Sequence, residues 1–277
     1  MKKFLLLCVI GVLSASISCE QSNAELIRSM NRAEELMMES PDSALTILSS
    51  IDVNELSTQK DRARYAILYT QAKDKNYIDE TDTTLISEAK RYYEDSNNHT
   101  YKFLSCFYYG RVLCNNGDYF HAMIAYTEAE GVLDKLNNDY FAGLLYTEIG
   151  NIYRLYYDYN KCLDAYQSAY KHYTLSELEP HKAYALLDIG ISYWNLEDGL
   201  KAEEYINSAL ELAITLGDVY LERICYENLI IIYDGLSDID KCGYVVDRLY
   251  SQFDDALFSP TCLGSIAGYY ADINEYD

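Results

Sequence analysis

The chain has 277 residues, with 44 Asp plus Glu against 22 Lys plus Arg, so the formal net charge is −22. About half the residues are apolar, 30 are Tyr, 13 are Gly and only 3 are Pro, a composition that excludes collagen-like and disordered chains. The acidic balance repels phosphate backbones, so no nucleic-acid partner is expected, and a single apolar run, at the N-terminus, excludes a multi-span membrane protein.

That run comes first in chain order. Met1-Lys2-Lys3, an apolar stretch from Phe4 to Val12 and the small-residue exit Ser14-Ala15-Ser16-Ile17-Ser18-Cys19 predict a signal peptide over residues 1–18. The stretch is too short to span a bilayer and ends in serines. Ser18-Cys19 resembles a bacterial lipoprotein cleavage box, which implies a lipidated Cys19 and attachment to the membrane through an N-terminal lipid anchor. Ser16 stands where Leu is usual, and ordinary secretion is the alternative. Cleavage would remove Lys2 and Lys3 and take the charge from −22 to −24. Residues 19–23 then form a short polar tether, placing the folded body in the cell envelope, on an outer-membrane lipoprotein in the preferred reading.

Residues 24–57 read as a helical hairpin, with Ser40-Pro41 as a cap and first-turn pair for its second helix. After it a repeat of 40 residues begins. Gly110, Gly150 and Gly190 are each followed three residues on by Leu113, Tyr153 or Tyr193. Twelve on stands Ala122, Cys162 or Ala202; sixteen on, Tyr126, Tyr166 or Ile206; nineteen on, Ala129, Ala169 or Ala209. Carried forward, the frame meets Ile230, Tyr233, Cys242, Val246 and Leu249; carried back, it meets Thr70, Ile86 and Ala89. The spacing predicts a pair of helices per unit, with small residues where the two approach. Asn115-Asn116-Gly117-Asp118, Tyr157-Asp158 and Asn195-Leu196-Glu197-Asp198 mark the turns inside units; Asn138-Asp139 and Gly217-Asp218 mark a stop and cap between them. Five units follow, over 58–97, 98–137, 138–177, 178–217 and 218–253. Residues 254–277 form an incomplete terminal repeat whose helix carries Ala267-Gly268, with Asn274 to Tyr276 expected as a turn.

The Gly, Tyr, Ala, Tyr, Ala pattern resembles the tetratricopeptide repeat, with a period longer than the usual ~34 residues and without the usual Pro at the unit end. The resemblance implies an all-α fold, a right-handed superhelical solenoid of antiparallel helix pairs like that of bacterial cell-envelope tetratricopeptide lipoproteins, and a protein or peptide partner held on the inner wall. The family's inner-wall positions fall on Gln71 and Lys75; Phe107, Arg111 and Asn115; Asn151 and Arg154; Tyr184, Trp194 and Asn195; and Glu227 and Asp234. Of these, Lys75, Phe107, Arg111, Asn115, Asn151, Arg154, Trp194 and Asn195 are the expected peptide-binding residues. Asn pairs peptide backbone, Arg grips carboxylate at two points, and Trp anchors. The competing reading gives the arginines to nearby carboxylates and Trp194 to helix packing.

Catalytic and metal motifs are missing from the sequence: no phosphate loop, no Gly-rich dinucleotide turn, no HExxH and no GxSxG. Neither a cofactor nor a metal is expected. The six body cysteines, Cys106, Cys114, Cys162, Cys225, Cys242 and Cys262, form no CxxC and sit where small apolar residues belong, so buried thiols are expected. The four histidines are expected at the surface. The preferred function is a non-catalytic binding scaffold; the alternative is the sensory part of a membrane-associated transcriptional or signalling regulator.

Overall fold

The computed structural model describes residues 23–276, with side chains to 273, and these fall into two compact units meeting at Asn137 and Asn138. The leader and Cys19 lie outside the described residues. Everything regular in both units is helical, and no described helix is long and apolar enough to cross a membrane.

In the first unit, α1 (23–36) and α2 (Pro41–Ser49) form the N-terminal hairpin. Its core of Met30, Ala33, Met37, Ala44 and Leu48 closes on Tyr65, Leu68 and Ala72 of α3 (Gln59–Lys75). Asn76 locks the joint by donating to the carbonyls of Pro41 (2.8 Å) and Ala72 (2.7 Å). Ser40 precedes α2 as expected, yet its hydroxyl does not cap the backbone; it donates to Asp42 Oδ1 at 3.0 Å. α4 (Thr84–Tyr93), α5 (His99–Asn115), α6 (Tyr119–Glu130) and the single turn α7 (Leu133–Leu136) complete the unit.

The second unit holds α8 (Asp139–Leu155), α9 (Tyr159–Leu175), α10 (Glu179–Asn195), α11 (Gly199–Leu216), α12 (Val219–Gly235), α13 (Ile239–Gln252) and α14 (Pro260–Tyr276). First helices of pairs begin at 59, 99, 139, 179 and 219, and second helices at 119, 159, 199 and 239. The exception is α4, which starts at 84 because residues 77–83 form a loop organised by Glu80 and Asp82 accepting from backbone N–H groups. Asn274 to Tyr276, expected as a turn, continue α14 instead.

The small residues sit where second helices press closest. A Cβ added to Gly110 would lie 2.3 Å from the Tyr126 ring, and one added to Gly150 would lie 2.6 Å from the Tyr166 ring. On Gly190 it would lie 2.5 Å from Ile206 Cγ1. Where the repeat replaces Gly with Ile230, the opposing residue is Val246, and both are fully enclosed. One large residue per pair fills the gap, since interiors are packed to crystal-like density.

A second periodic device closes each pair. Two residues before the second helix the backbone is left-handed, at Gly117, Tyr157, Glu197 and Ser237. The following Asp118, Asp158, Asp198 and Asp238 send their N–H back to the carbonyls of Leu113, Tyr153, Tyr193 and Tyr233 at 2.9–3.0 Å. This satisfies the end of the first helix. The same aspartates then cap the next helix by accepting from the N–H of His121, Lys161, Lys201 and Lys241, and they pair with those side chains. Lys161, Lys201 and Lys241 also lie over the rings of Tyr153, Tyr193 and Tyr233, at 5.3, 4.9 and 5.2 Å. Part of the tyrosine excess is thereby structural. Only Gly117 among the four takes φ > 0 without a Cβ penalty of about 1–2 kcal/mol. Ser237→Gly is therefore expected to stabilise the second unit by about 1 kcal/mol, read as a higher urea midpoint with unchanged far-ultraviolet dichroism.

The body cysteines Cys106, Cys162, Cys225, Cys242 and Cys262 are buried thiols, and Cys114 is half-buried. Burial pushes Cys106 and Cys242 up to about 11 and Cys225 and Cys262 up to about 12, so they serve as small hydrophobes. The histidines depart from expectation. His121 is exposed, but His99, His172 and His181 are half-buried. His172 Nδ1 lies 2.7 Å from Asp139, with its ring stacked on Tyr146.

Candidate functional site: the wall of first helices

Residues spaced i, i+4, i+7 and i+11 share one helical face. In the second unit this face of α8 carries Glu148, Asn151 and Leu155; of α10, Tyr184, Asp188, Ile191 and Asn195; of α12, Ile224, Asn228 and Ile231. All are at least partly open to solvent, in contrast to the neighbouring core positions. The three helices stand side by side through their second helices, so the faces form one wall within this unit.

Two expected residues, Asn151 and Asn195, stand on this wall, and a third, Arg154, lies beside it. Asn151 accepts from the Tyr166 hydroxyl at 2.8 Å, which fixes its amide and leaves the two N–H donors for a ligand. Arg154 is exposed at the end of α8, and its charge acts on Tyr166 and on Asp188. Asn195, the last residue of α10, is half-buried, with no side-chain hydrogen bond among the described residues.

Asp188 is the polar group that the motif frame passed over. Burial pushes its carboxyl up to about 7, Arg154 pulls it back, and Glu148 adds to the rise. Its carboxylate accepts no hydrogen bond from the described residues, although its backbone carbonyl takes the Ser192 hydroxyl at 2.8 Å. The signal was in the sequence: two residues before the repeat's small position stand Glu148, Asp188 and Asn228, polar in three successive units. Because the folded carboxyl holds its proton more tightly than the unfolded one, this group's own contribution to stability is greatest below about pH 4. It is lost as pH rises to about 7, where the folded group also ionises, and is level above that. Asp188→Asn is expected to flatten this decline and raise stability at pH 8, measured by urea unfolding at pH 5 and pH 8.

Other expected residues lie elsewhere. Trp194 is half-buried against the core of the second unit, its ring 2.5 Å from where a Cβ on Gly235 would stand. It packs α10 onto α12 through that contact. Glu227 is 4% exposed; it pairs with Arg223 and accepts from the Ser259 N–H at 3.1 Å, so it holds the start of α14 and does not reach the wall surface. Tyr184, which stands on the wall itself, donates to Asp218 at 3.1 Å.

In the first unit, Phe107 is 3% exposed, stacked on Phe103 and in edge contact with Tyr108; its ring is core, too enclosed to meet a partner. Arg111 gives Nε (2.8 Å) and Nη2 (2.7 Å) to Asp74 of α3. Asn115 donates to the Glu80 carbonyl at 3.1 Å, and Lys75 is half-buried at the end of α3. Here the chain's own carboxylates and carbonyls occupy the donors. Among the described residues no group of three or more His, Cys, Asp or Glu is placed to hold a metal ion.

No protein-family model matches the chain, and no curated protein matches it. Solved structures do. The apo form of RapI superposes with a TM-score of 0.75 at 14% identity, covering 91% of this chain and 72% of that one. A Rap protein complexed with competence and sporulation factor gives 0.64 at 16%, covering 92% and 73%. A signal-transduction ATPase with a tetratricopeptide repeat sensor from Pyrococcus horikoshii gives 0.69 at 15%, covering 90% of this chain and 39% of that one. At these identities the likeness is one of fold. With the helix pairs above, it makes the chain an all-α, tetratricopeptide-like repeat protein.

Proposed function

We propose that the chain is a non-catalytic scaffold of the cell envelope that holds a peptide segment of a protein partner along the first-helix wall of its second unit. The observation that carries this reading is Asp188, an underpaired carboxyl on an open face, flanked by the donors of Asn151 and Arg154. Such a group offers an acceptor to a ligand's N–H donors, and a perturbed carboxyl on an accessible face marks a candidate site. The Rap protein solved in complex with competence and sporulation factor has a like fold, which supports a bound partner. In this reading Cys19 carries the lipid, and the acidic body stands off an anionic bilayer, attached only there, since stable anchoring takes two or more acyl chains.

The test is photo-crosslinking in cells from a reactive residue placed at Asn195, followed by mass spectrometry, with and without Asn151→Ala and Arg154→Ala. A defined partner, lost in the double variant, is expected; full capture by the double variant sinks the site. Acyl labelling that persists in Cys19→Ser would remove the anchor. A second reading, the sensory part of a membrane-associated regulator, draws support from the ATPase neighbour, in which a tetratricopeptide sensor is one portion of a longer chain.

A further inference from the structure

At the edge of the second unit where α12 begins, Val219 and Tyr220 are 61% and 60% exposed. Beside them runs the single turn Asp255–Leu257, in which Leu257 is 59% exposed. Arg223, one turn into α12, joins the two parts. Its guanidinium lies 5.4 Å from the centre of the Tyr220 ring and donates to the Leu257 carbonyl at 2.7 Å. Isolated apolar side chains are common on protein surfaces. Three large ones side by side form a patch of a few hundred Å², the kind that marks a contact surface.

The repeat does not require this patch. The leading helix of each pair starts on Gln59, His99, Asp139 and Glu179 in the four earlier pairs, and on Val219 in this one. Polar and acidic side chains suit that position, because a helix N-terminus is solvated and carries partial positive charge. Val219 gains neither from the dipole nor from burial. At the next position of the frame, Tyr140 packs against Phe141 and His181, whereas Tyr220 meets no other ring among the described residues.

The rim selects the occupant. Glu222 follows Tyr220 by two residues, and Asp254 and Asp255 precede Leu257 in the turn. None of the three forms an ion pair with the described residues, while Arg223 is neutralised by Glu227. The apolar centre therefore carries a rim of about −3. In a chain of net charge −22, a second copy would bring the same acidic rim, and an anionic lipid surface would be repelled in the same way. A basic partner is complementary.

We propose that this patch is an interaction surface for a basic amphipathic helix of a protein partner, one that presents an apolar side chain flanked by Lys or Arg a turn away. The apolar side chain enters between Val219, Tyr220 and Leu257, and the flanking cations face Glu222, Asp254 and Asp255. Tyr220 lies one turn before Ile224, so the patch begins where the first-helix wall ends. Asn151 and Arg154 take no part in it, and either surface can fail without the other.

The experiment measures fluorescence anisotropy of a labelled helix, two copies of Leu-Lys-Lys-Leu-Leu-Lys-Leu with acetyl and amide ends, on the full chain. Saturable binding that weakens with salt is expected, with none for the same helix carrying Glu for every Lys. Val219→Ser with Leu257→Ser should weaken it at least ~10-fold, and Glu222→Gln with Asp255→Asn should also weaken it. Glu204→Gln with Glu211→Gln, on the exposed side of α11, removes as much charge elsewhere and should leave it unchanged. The substituted side chains reach solvent, so these variants keep the fold, which thermal melts verify. Undiminished binding by the double serine variant, or equal weakening by the α11 pair, would overturn the proposal. So would loss of binding in Asn151→Ala with Arg154→Ala, which puts the helix on the wall, or capture of the chain by phosphatidylglycerol vesicles.

Discussion

Gly190→Ala is expected to destabilise the second unit by about 2 kcal/mol, even though alanine is the better helix former by about 1 kcal/mol. The added methyl would lie 2.5 Å from Ile206 Cγ1 and 3.2 Å from both the Ala202 carbonyl oxygen and the Ile206 nitrogen. Ile206 is fully enclosed and β-branched, so its side chain has no other rotamer to take. The two backbone contacts are worse, because relieving them means pushing α11 away from α10 along the whole pair. Gly264 supplies the control. It lies in α14 with nothing within 4 Å of the position of an added Cβ, so Gly264→Ala should gain about 0.5–1 kcal/mol of helix propensity. Urea unfolding of the two variants should therefore move in opposite directions. A Gly190→Ala midpoint at or above the parent would show that the helix pair is looser than described.

Glu227→Ala should have the largest local effect, releasing α14 by about 3 kcal/mol. Glu227 is among the few charged side chains in the core, and it has two tasks. It pairs with Arg223, whose side chain is 14% exposed and also donates to the Leu257 carbonyl at 2.7 Å, and it accepts the Ser259 N–H. Removing it strands a largely buried guanidinium and a backbone donor together, and the desolvation of both is then uncompensated. The turn at Asp255–Leu257 and the start of α14 lose their tie to α12. The readout is Cys262, buried by this helix. Its alkylation should accelerate about 100-fold, the equivalent of ~3 kcal/mol in local opening. Glu227→Gln, which keeps an acceptor for Ser259, should fall between. Unchanged labelling in the alanine variant would show that apolar packing alone holds α14.

Both predictions sit on positions that the repeat frame reaches, and they mark how far it carries. Gly190 was legible because a helix pair requires a small residue opposite a large one, and the spacing from Gly190 to Ile206 expresses that within a single unit. Glu227 occupies an inner-wall position by the same frame, yet a short connection to α14 folds over it and turns it inward. Arg111 and Phe107 follow the same logic: Asp74, 37 residues earlier, claims the guanidinium, and neighbouring rings enclose the phenyl group.

The sequence by itself determined the period, the helix pairs and the small-for-large complementarity at Gly110, Gly150 and Gly190. These depend on side-chain size at fixed helical spacing, which is local. The tertiary structure alone decided which polar groups remain open to a ligand. Whether Asp188 and Arg111 are paired depends on what neighbouring helices bring within hydrogen-bond reach, and no periodicity in the chain records that.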